Sequence, residues 1–252
     1  MIIQTDEDLE GMKAASRAVA LTLKSMVAFA RPGMSTLGLD AHGADLLQQF
    51  GAKSAPVKDY GFPGHTCISV NREVAHGVPS SEKILKAGDL VNIDVSAELR
   101  GYYGDNGCSF VLGGDAGEIQ PLVDASREIL HLAIREIRAG LRIAFLGRFI
   151  QQKAASRGFR VIKNLVGHGI GRKLHEDPEE IPCFYDPYNK GVFRLNSIVA
   201  VETFISTKAT YVREESNGWT MSTKDGSLVA QHEHTLLITK EEPVILTWQN
   251  GI

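Results

Sequence analysis

Asp94, Asp105, His168, Glu202 and Glu233 are four carboxylates and one imidazole, most of them set in apolar, strand-like or glycine-rich surroundings. Asp94 interrupts Leu-Val-Asn-Ile-Asp-Val (90–95) and Glu202 interrupts Ile-Val-Ala-Val-Glu-Thr-Phe-Ile (198–205). Glu233 lies inside Leu-Val-Ala-Gln-His-Glu-His-Thr-Leu-Leu-Ile (228–238). A buried carboxylate is costly unless it is paired or metal-bound, so cations would account for all three at once. Structural zinc sites use sulfur and nitrogen. This set is oxygen-rich with one imidazole, and four carboxylates can bridge two divalent ions about 3.5–4 Å apart. Manganese, iron, cobalt and zinc are all compatible with such donors. Ion pairs of this kind lower the pKa of a trapped water and polarise a carbonyl, which is the chemistry of metal-assisted amide hydrolysis.

His168 lies in Gly167-His168-Gly169-Ile170-Gly171, where glycine lets the backbone pass close to a ligand. His175 follows ahead of Glu176-Asp177-Pro178 and joins the candidates because acids accompany it. In Gln231-His232-Glu233-His234, strand alternation sends Glu233 to one face and both histidines to the other, so the three cannot serve one ion. His42, His65 and His131 have no acidic context and read as structural. Asp105 has a competing reading as a turn residue, because Gly104-Asp105-Asn106-Gly107 is turn-like.

These residues need elements to hold them. Thr5 ahead of three acidic residues reads as a helix cap, and Leu9, Met12, Ala15, Val19, Leu23 and Met26 keep helical spacing until Arg31-Pro32-Gly33. Further helices are expected at about 37–50, 119–138 and 144–157. Residues 90–96 and 102–112 read as strands joined by a hairpin loop over 97–101, which would bring Asp94 and Asp105 together. The chain also repeats itself weakly. Arg31-Pro32-Gly33 is echoed by Arg138-Ala139-Gly140, Asp94 aligns with Glu202, and His76-Gly77-Val78-Pro79 aligns with His175-Glu176-Asp177-Pro178. Two copies of such a long unit exclude a solenoid and imply related αβ halves about a pseudo-twofold, with a shared site at their interface. With no Pro/Gly/Ser-rich linker, residues 1–252 read as one domain with halves of roughly 1–112 and 113–252.

The 252 residues are 43% hydrophobic and 23% charged, the balance of a globular chain rather than a disordered one. A net charge of −3 gives no general footprint for nucleic acid or anionic membrane, so direct DNA binding is not expected. The acidic start is unlike a secretory signal, and no apolar run approaches the ~18 residues of a membrane span, so a cytoplasmic location is expected. Cys67, Cys108 and Cys183 are widely spaced and form no Cys-x-x-Cys pair, so they read as free thiols.

The chain resembles the type I, bacterial methionine aminopeptidases within the wider pita-bread metallopeptidases, over nearly its full length. The resemblance is carried by Pro32-Gly33-Met34-Ser35-Thr36, Cys67-Ile68-Ser69-Val70-Asn71, Ala75-His76-Gly77-Val78-Pro79, Asn92-Ile93-Asp94-Val95 and Gly104-Asp105. It continues through Gly167 to Gly171, Leu174-His175-Glu176, Asn217-Gly218-Trp219-Thr220 and Ala230 to Thr235. It implies an α+β pita-bread fold, with two pseudo-twofold-related halves whose antiparallel sheets are covered by helices on the outer face. It implies two metal ions, one held by Asp94 and the other by His168 and Glu202, with Asp105 and Glu233 shared. A hydroxide between them would attack the first peptide bond, Glu202 would exchange the proton, His175 would stabilise the oxyanion, and His76 would contact the scissile amide.

The resemblance further implies a small apolar methionine pocket drawing on Phe62, Cys67, Leu174 and Trp219, with Tyr60 nearby. For these five, simple core packing is the alternative. The sequence departs from the common pattern at Leu174, Thr203 and Asp59, where relatives more often carry phenylalanine, proline and an aromatic residue. The extra N-terminal domain of proline-specific relatives and the type II insertion between His175 and Glu202 are absent from this sequence. Expected substrates are nascent polypeptides with a small second residue, met at the ribosome through the catalytic domain's own surface, by a monomer that binds no membrane. The alternatives are an X-Pro aminopeptidase and, as a different class, a pita-bread protein that has lost catalysis and only binds.

Overall fold

The Thr5 hydroxyl accepts the Asp8 N–H while the Asp8 carboxylate accepts the Thr5 N–H, and this reciprocal cap starts α1 (Asp6–Phe29). The computed structural model describes residues 1–114 and 118–252. Ser35 caps α2 (Thr36–Gln49), and α3 (Gln120–Glu136) and α4 (Ile143–Ser156) form the second helical pair. Every boundary falls within two residues of the spacing-based expectation. The reason is visible in α1, where Met12, Ala15, Val19, Leu23 and Met26 form one fully buried stripe. No helix among the described residues is long and apolar enough to cross a membrane.

The first half contributes β1 (Lys53–Ser54), β2 (Cys67–Val70), β3 (Glu73–Ala75), β4 (Leu90–Leu99) and β5 (Tyr102–Val111). The second contributes β6 (Arg160–Val161), β7 (Val166–Gly169), β8 (Glu176–Pro182), β9 (Ile198–Ser206), β10 (Arg213–Glu214), β11 (Met221–Ser222), β12 (Val229–Leu237) and β13 (Val244–Ile245). The main sheet is antiparallel and runs β1-β4-β5-β12-β9-β7-β8. Pairing on the two sides of the β5–β12 junction corresponds. β1 and β2 pair with β4 as β6 and β7 pair with β9, and β4 pairs with β5 as β9 pairs with β12.

Helix α1 packs on β4 and β5, and α3 packs on β9 and β12. Val91, Ile93 and Val95 point into the first of these cores, and Val199, Val201 and Ile205 into the second. The alternation that sends these residues to the helices sends Asp94 and Glu202 to the opposite face. A small sheet, β10-β11-β3, joins the two halves on the side away from the helices and sets His76, which follows β3, near the loop before β11.

Two local expectations are corrected. The hairpin loop is not residues 97–101 but only Arg100-Gly101, because Ala97, Glu98 and Leu99 continue the ladder opposite Gly104, Tyr103 and Tyr102. Both turn residues have positive φ (+53° and +81°), the left-handed pair that matches strand twist in a two-residue hairpin. Gly104-Asp105-Asn106-Gly107 is likewise no turn but the middle of β5. Its glycines allow close approach. A Cβ at Gly104 would lie 2.9 Å from the Ala15 carbonyl carbon and the Ser16 nitrogen of α1, and one at Gly107 would lie 2.4 Å from the Gln231 side chain. Gly104→Ala is therefore expected to lower stability by about 1–3 kcal/mol, as overpacking does. A urea midpoint unchanged from the parent would refute that reading.

Candidate metal centre

The five donors come from five neighbouring strands in spatial order: Asp94 on β4, Asp105 on β5, Glu233 on β12, Glu202 on β9 and His168 on β7. Register places them on one face. Asp94 lies opposite Gly107 and Asp105 opposite Ser96, a diagonal pair. Glu233 lies directly opposite Glu202, and His168 lies opposite Ala200, two residues from Glu202. Side chains of Asp105, His168 and Glu233 offer ligand atoms all within 4.8 Å of one another. All five line the floor of a cavity of about 390 Å³.

Like charges directly across a ladder destabilise it, and here they are also desolvated. Burial, reinforced by the neighbouring acids, raises Asp105 and Glu233 far above the usual carboxylate range. Burial lifts Asp94 to about 6, and burial with the Asp94 charge lifts Glu202 to about 8. Among the described residues, one neutral side chain relieves the pair on β12 and β9. Gln231 Nε2 donates to Glu202 at 3.2 Å and to Glu233 at 3.1 Å, while its Oε1 accepts from Asn92 at 2.8 Å.

The donors fit divalent cations on three observations. Asp105 Oδ1 is buried without a hydrogen-bond partner. His168 Nδ1 sits 3.0 Å from the Gly169 carbonyl oxygen and donates to it in the tautomer that leaves Nε2 as a lone pair, and Nε2 lies 3.7 Å from Asp105. Burial holds that imidazole neutral, lowering it to about 4. Four acids sharing one buried floor complete the set, and cations would remove the repulsion that raises them.

Above the floor, His76 and His175 stand at the exposed rim. His76 has a left-handed φ of +53°, rare for a residue with a Cβ and characteristic of functional positions. Burial, then the nearby His175, lowers the His76 pKa; burial also lowers His175, against the Asp59 charge. Phe62 meets Trp219 edge-on at 5.3 Å, and Cys67 and Leu174 are buried in the same wall. Tyr60 also lines the cavity, with its hydroxyl 2.6 Å from His175 Nδ1.

All twelve residues singled out from the sequence thus meet around one cavity. His232 and His234 face the helices instead, bonded to Ser126 and Thr247. Of the three departures, only Leu174 lines the cavity. Thr203 sits on the opposite face of β9, with its hydroxyl donating to the Ser126 carbonyl, and Asp59, outside the cavity lining, accepts from the Tyr103 hydroxyl. The sequence reading missed Ser96, Phe204, Leu165 and Asn164 in the wall, and Gln231 between the acids. Strand alternation could have found three of these, because Ser96, Phe204 and Gln231 each lie two residues from a donor.

The sequence profile described as metallopeptidase family M24 matches residues 10–240. Methionine aminopeptidase 2 of Bacillus subtilis is 51% identical over 247 residues, covering 98% of this chain and 99% of that protein. The crystal structure of methionine aminopeptidase from Thermotoga maritima superposes with a TM-score of 0.92 at 39% identity, covering 98% of this chain and 99% of the other. A prolidase from Pyrococcus furiosus shares the fold, with a TM-score of 0.78 at 22% identity, and this chain spans only 65% of it.

Proposed function

The chain belongs to metallopeptidase family M24, and on that premise we infer that it is a metal-dependent aminopeptidase removing the initiator methionine from polypeptides with a small second residue. The observation that carries this reading is the row of five donors across five adjacent strands, directly below a wall of Phe62, Leu174 and Trp219 that suits an unbranched apolar side chain. The reading extends to one domain built from halves of roughly 1–112 and 113–252, acting as a monomer in the cytoplasm on nascent chains at the ribosome.

Asp94 with Asp105 and Glu233 would hold one divalent cation, and His168 with Glu202 and the same shared pair would hold the second; cobalt, manganese, iron and zinc all suit these donors. Such ions supply Lewis acidity, lowering the pKa of water and polarising a carbonyl. Glu202 would exchange the proton, because its carboxylate lines the cavity directly opposite Glu233, beside the place where a polarised water and the peptide bond would meet. Neutral His175 at the rim donates to the carbonyl oxygen as charge develops there, and His76 contacts the amide being cut. Phe62, Cys67, Leu174 and Trp219 enclose the methionine side chain, with Tyr60 nearby, excluding water and fixing the first peptide bond over the floor.

Incubating the metal-loaded protein with Met-Ala-Ser and Met-Lys-Ser tests this. Methionine is expected from the first peptide and little from the second. No release from Met-Ala-Ser, or faster cleavage of an X-Pro peptide, would overturn the assignment.

A further inference from the structure

Asp59 does not line the cavity, yet it lies in the turn that aims Tyr60 at it. Residues Pro56–Tyr60 form a single π-helical turn closed by Gly61 in the left-handed region (φ +69°). The turn is pinned to the sheet through its Lys58 and Asp59 side chains. The Tyr103 hydroxyl of β5 donates to Asp59 at 3.0 Å, Lys58 donates to that hydroxyl, and the Lys58 ammonium lies 3.8 Å from Glu98 on β4. On the inner side the Tyr60 hydroxyl makes its only hydrogen bond among the described residues, to His175 Nδ1 at 2.6 Å. The two rings are 5.8 Å apart and tilted by 59°, so the contact is made through the hydroxyl rather than by stacking.

A phenol can donate or accept at an imidazole nitrogen. Partial desolvation and the Asp59 carboxylate both keep the proton on Tyr60, which is itself half exposed, and a neutral imidazole that accepts at Nδ1 carries its hydrogen on Nε2. We propose that Tyr60 is a positioning residue, whose hydroxyl donates to His175 Nδ1 and fixes the ring as the Nε2–H tautomer, with the Lys58-Asp59-Tyr103 clasp holding it there. The consequence rests on the aminopeptidase reading. A carbonyl oxygen gaining negative charge needs a donor, and the other tautomer would present a lone pair in its place. Tyr60 thereby acts through His175 rather than as a wall of the methionine pocket.

The test uses the zinc-loaded protein with 15N-labelled histidine, followed by NMR and by steady-state cleavage of Met-Ala-Ser. In the parent, the His175 signals should show a protonated Nε2 and a bare Nδ1. Tyr60→Phe should shift them toward a tautomer mixture and lower kcat by about 10–100-fold, as loss of an orienting partner does, with KM nearly unchanged. In a His175→Ala background the same substitution should cost nothing more. Wild-type kcat in Tyr60→Phe, an unchanged tautomer, or a further loss without His175 would each overturn the proposal. A parent that releases no methionine would instead sink the aminopeptidase reading, while the NMR result would still report on the hydrogen bond.

Discussion

Glu202→Gln is expected to lower kcat on Met-Ala-Ser by roughly 10²–10⁴-fold, the range of a positioned general acid–base. The substitution keeps shape and removes charge. Glu202 accepts from Gln231 Nε2 at 3.2 Å and faces Glu233 directly across the β9–β12 ladder, and a glutamine can turn its carbonyl to the same donor. Packing is therefore conserved while the proton carrier is lost. Because Glu202 is also a proposed metal donor, bound metal is measured alongside rate. Full metal content with lost kcat identifies the proton role, whereas metal loss assigns the defect to binding. A variant with the parent's kcat and metal content would remove Glu202 from both.

Stripping the metal is expected to make stability fall as pH rises, opposite to the usual behaviour of carboxylate-stabilised folds. Burial raises Asp94 to about 6 and Glu202 to about 8, and lifts Asp105 and Glu233 further, whereas in the unfolded chain all four ionise near the ordinary value of about 4. The buried histidines His168, His232 and His234 titrate the opposite way below about pH 6.5, so it is between about pH 6.5 and pH 8 that the folded, metal-free protein holds protons that the unfolded chain has released. Stability then falls with rising pH by an amount on the order of several kcal/mol across that window. The contribution is fully present below the unfolded values.

Divalent cations reverse the slope, since binding releases those protons and strengthens as pH rises. Chelated protein should therefore show a lower urea midpoint at pH 8 than at pH 6.5, and added manganese should stabilise more at the higher pH. Glu233→Gln, which removes one buried acid, should flatten the chelated profile. A chelated midpoint that climbs from pH 6.5 to pH 8 would sink this account.

Sequence and structure divide unevenly between these residues. The four helices were legible because an apolar stripe of period 3.6 is a local property, and the buried face of α1 is the stripe the spacing marks. The demotion of His232 and His234 was legible for the same reason, as strand alternation needs no knowledge of neighbours. Asp105 was only half legible. Its flanking glycines suggest a turn in isolation, and their purpose appears only when α1 and Gln231 are seen pressed against β5. Thr203 and Asp59 stand out against relatives, but the sequence does not say whether they reach the cavity, and the structure places both outside its lining.

By itself, then, the sequence marked the candidate donors, the helical scaffold and the face each strand turns to its core, because residue type and periodicity are carried by neighbours along the chain. Only the tertiary structure decided the strand order that ranks Asp94, Asp105, Glu233, Glu202 and His168 side by side. It alone decided the floor-and-rim division between the acids and His76 with His175, and the meeting of Tyr60 with a histidine 115 residues away. Those outcomes depend on how separated segments pack and pair, and no local pattern specifies which strand will lie beside which.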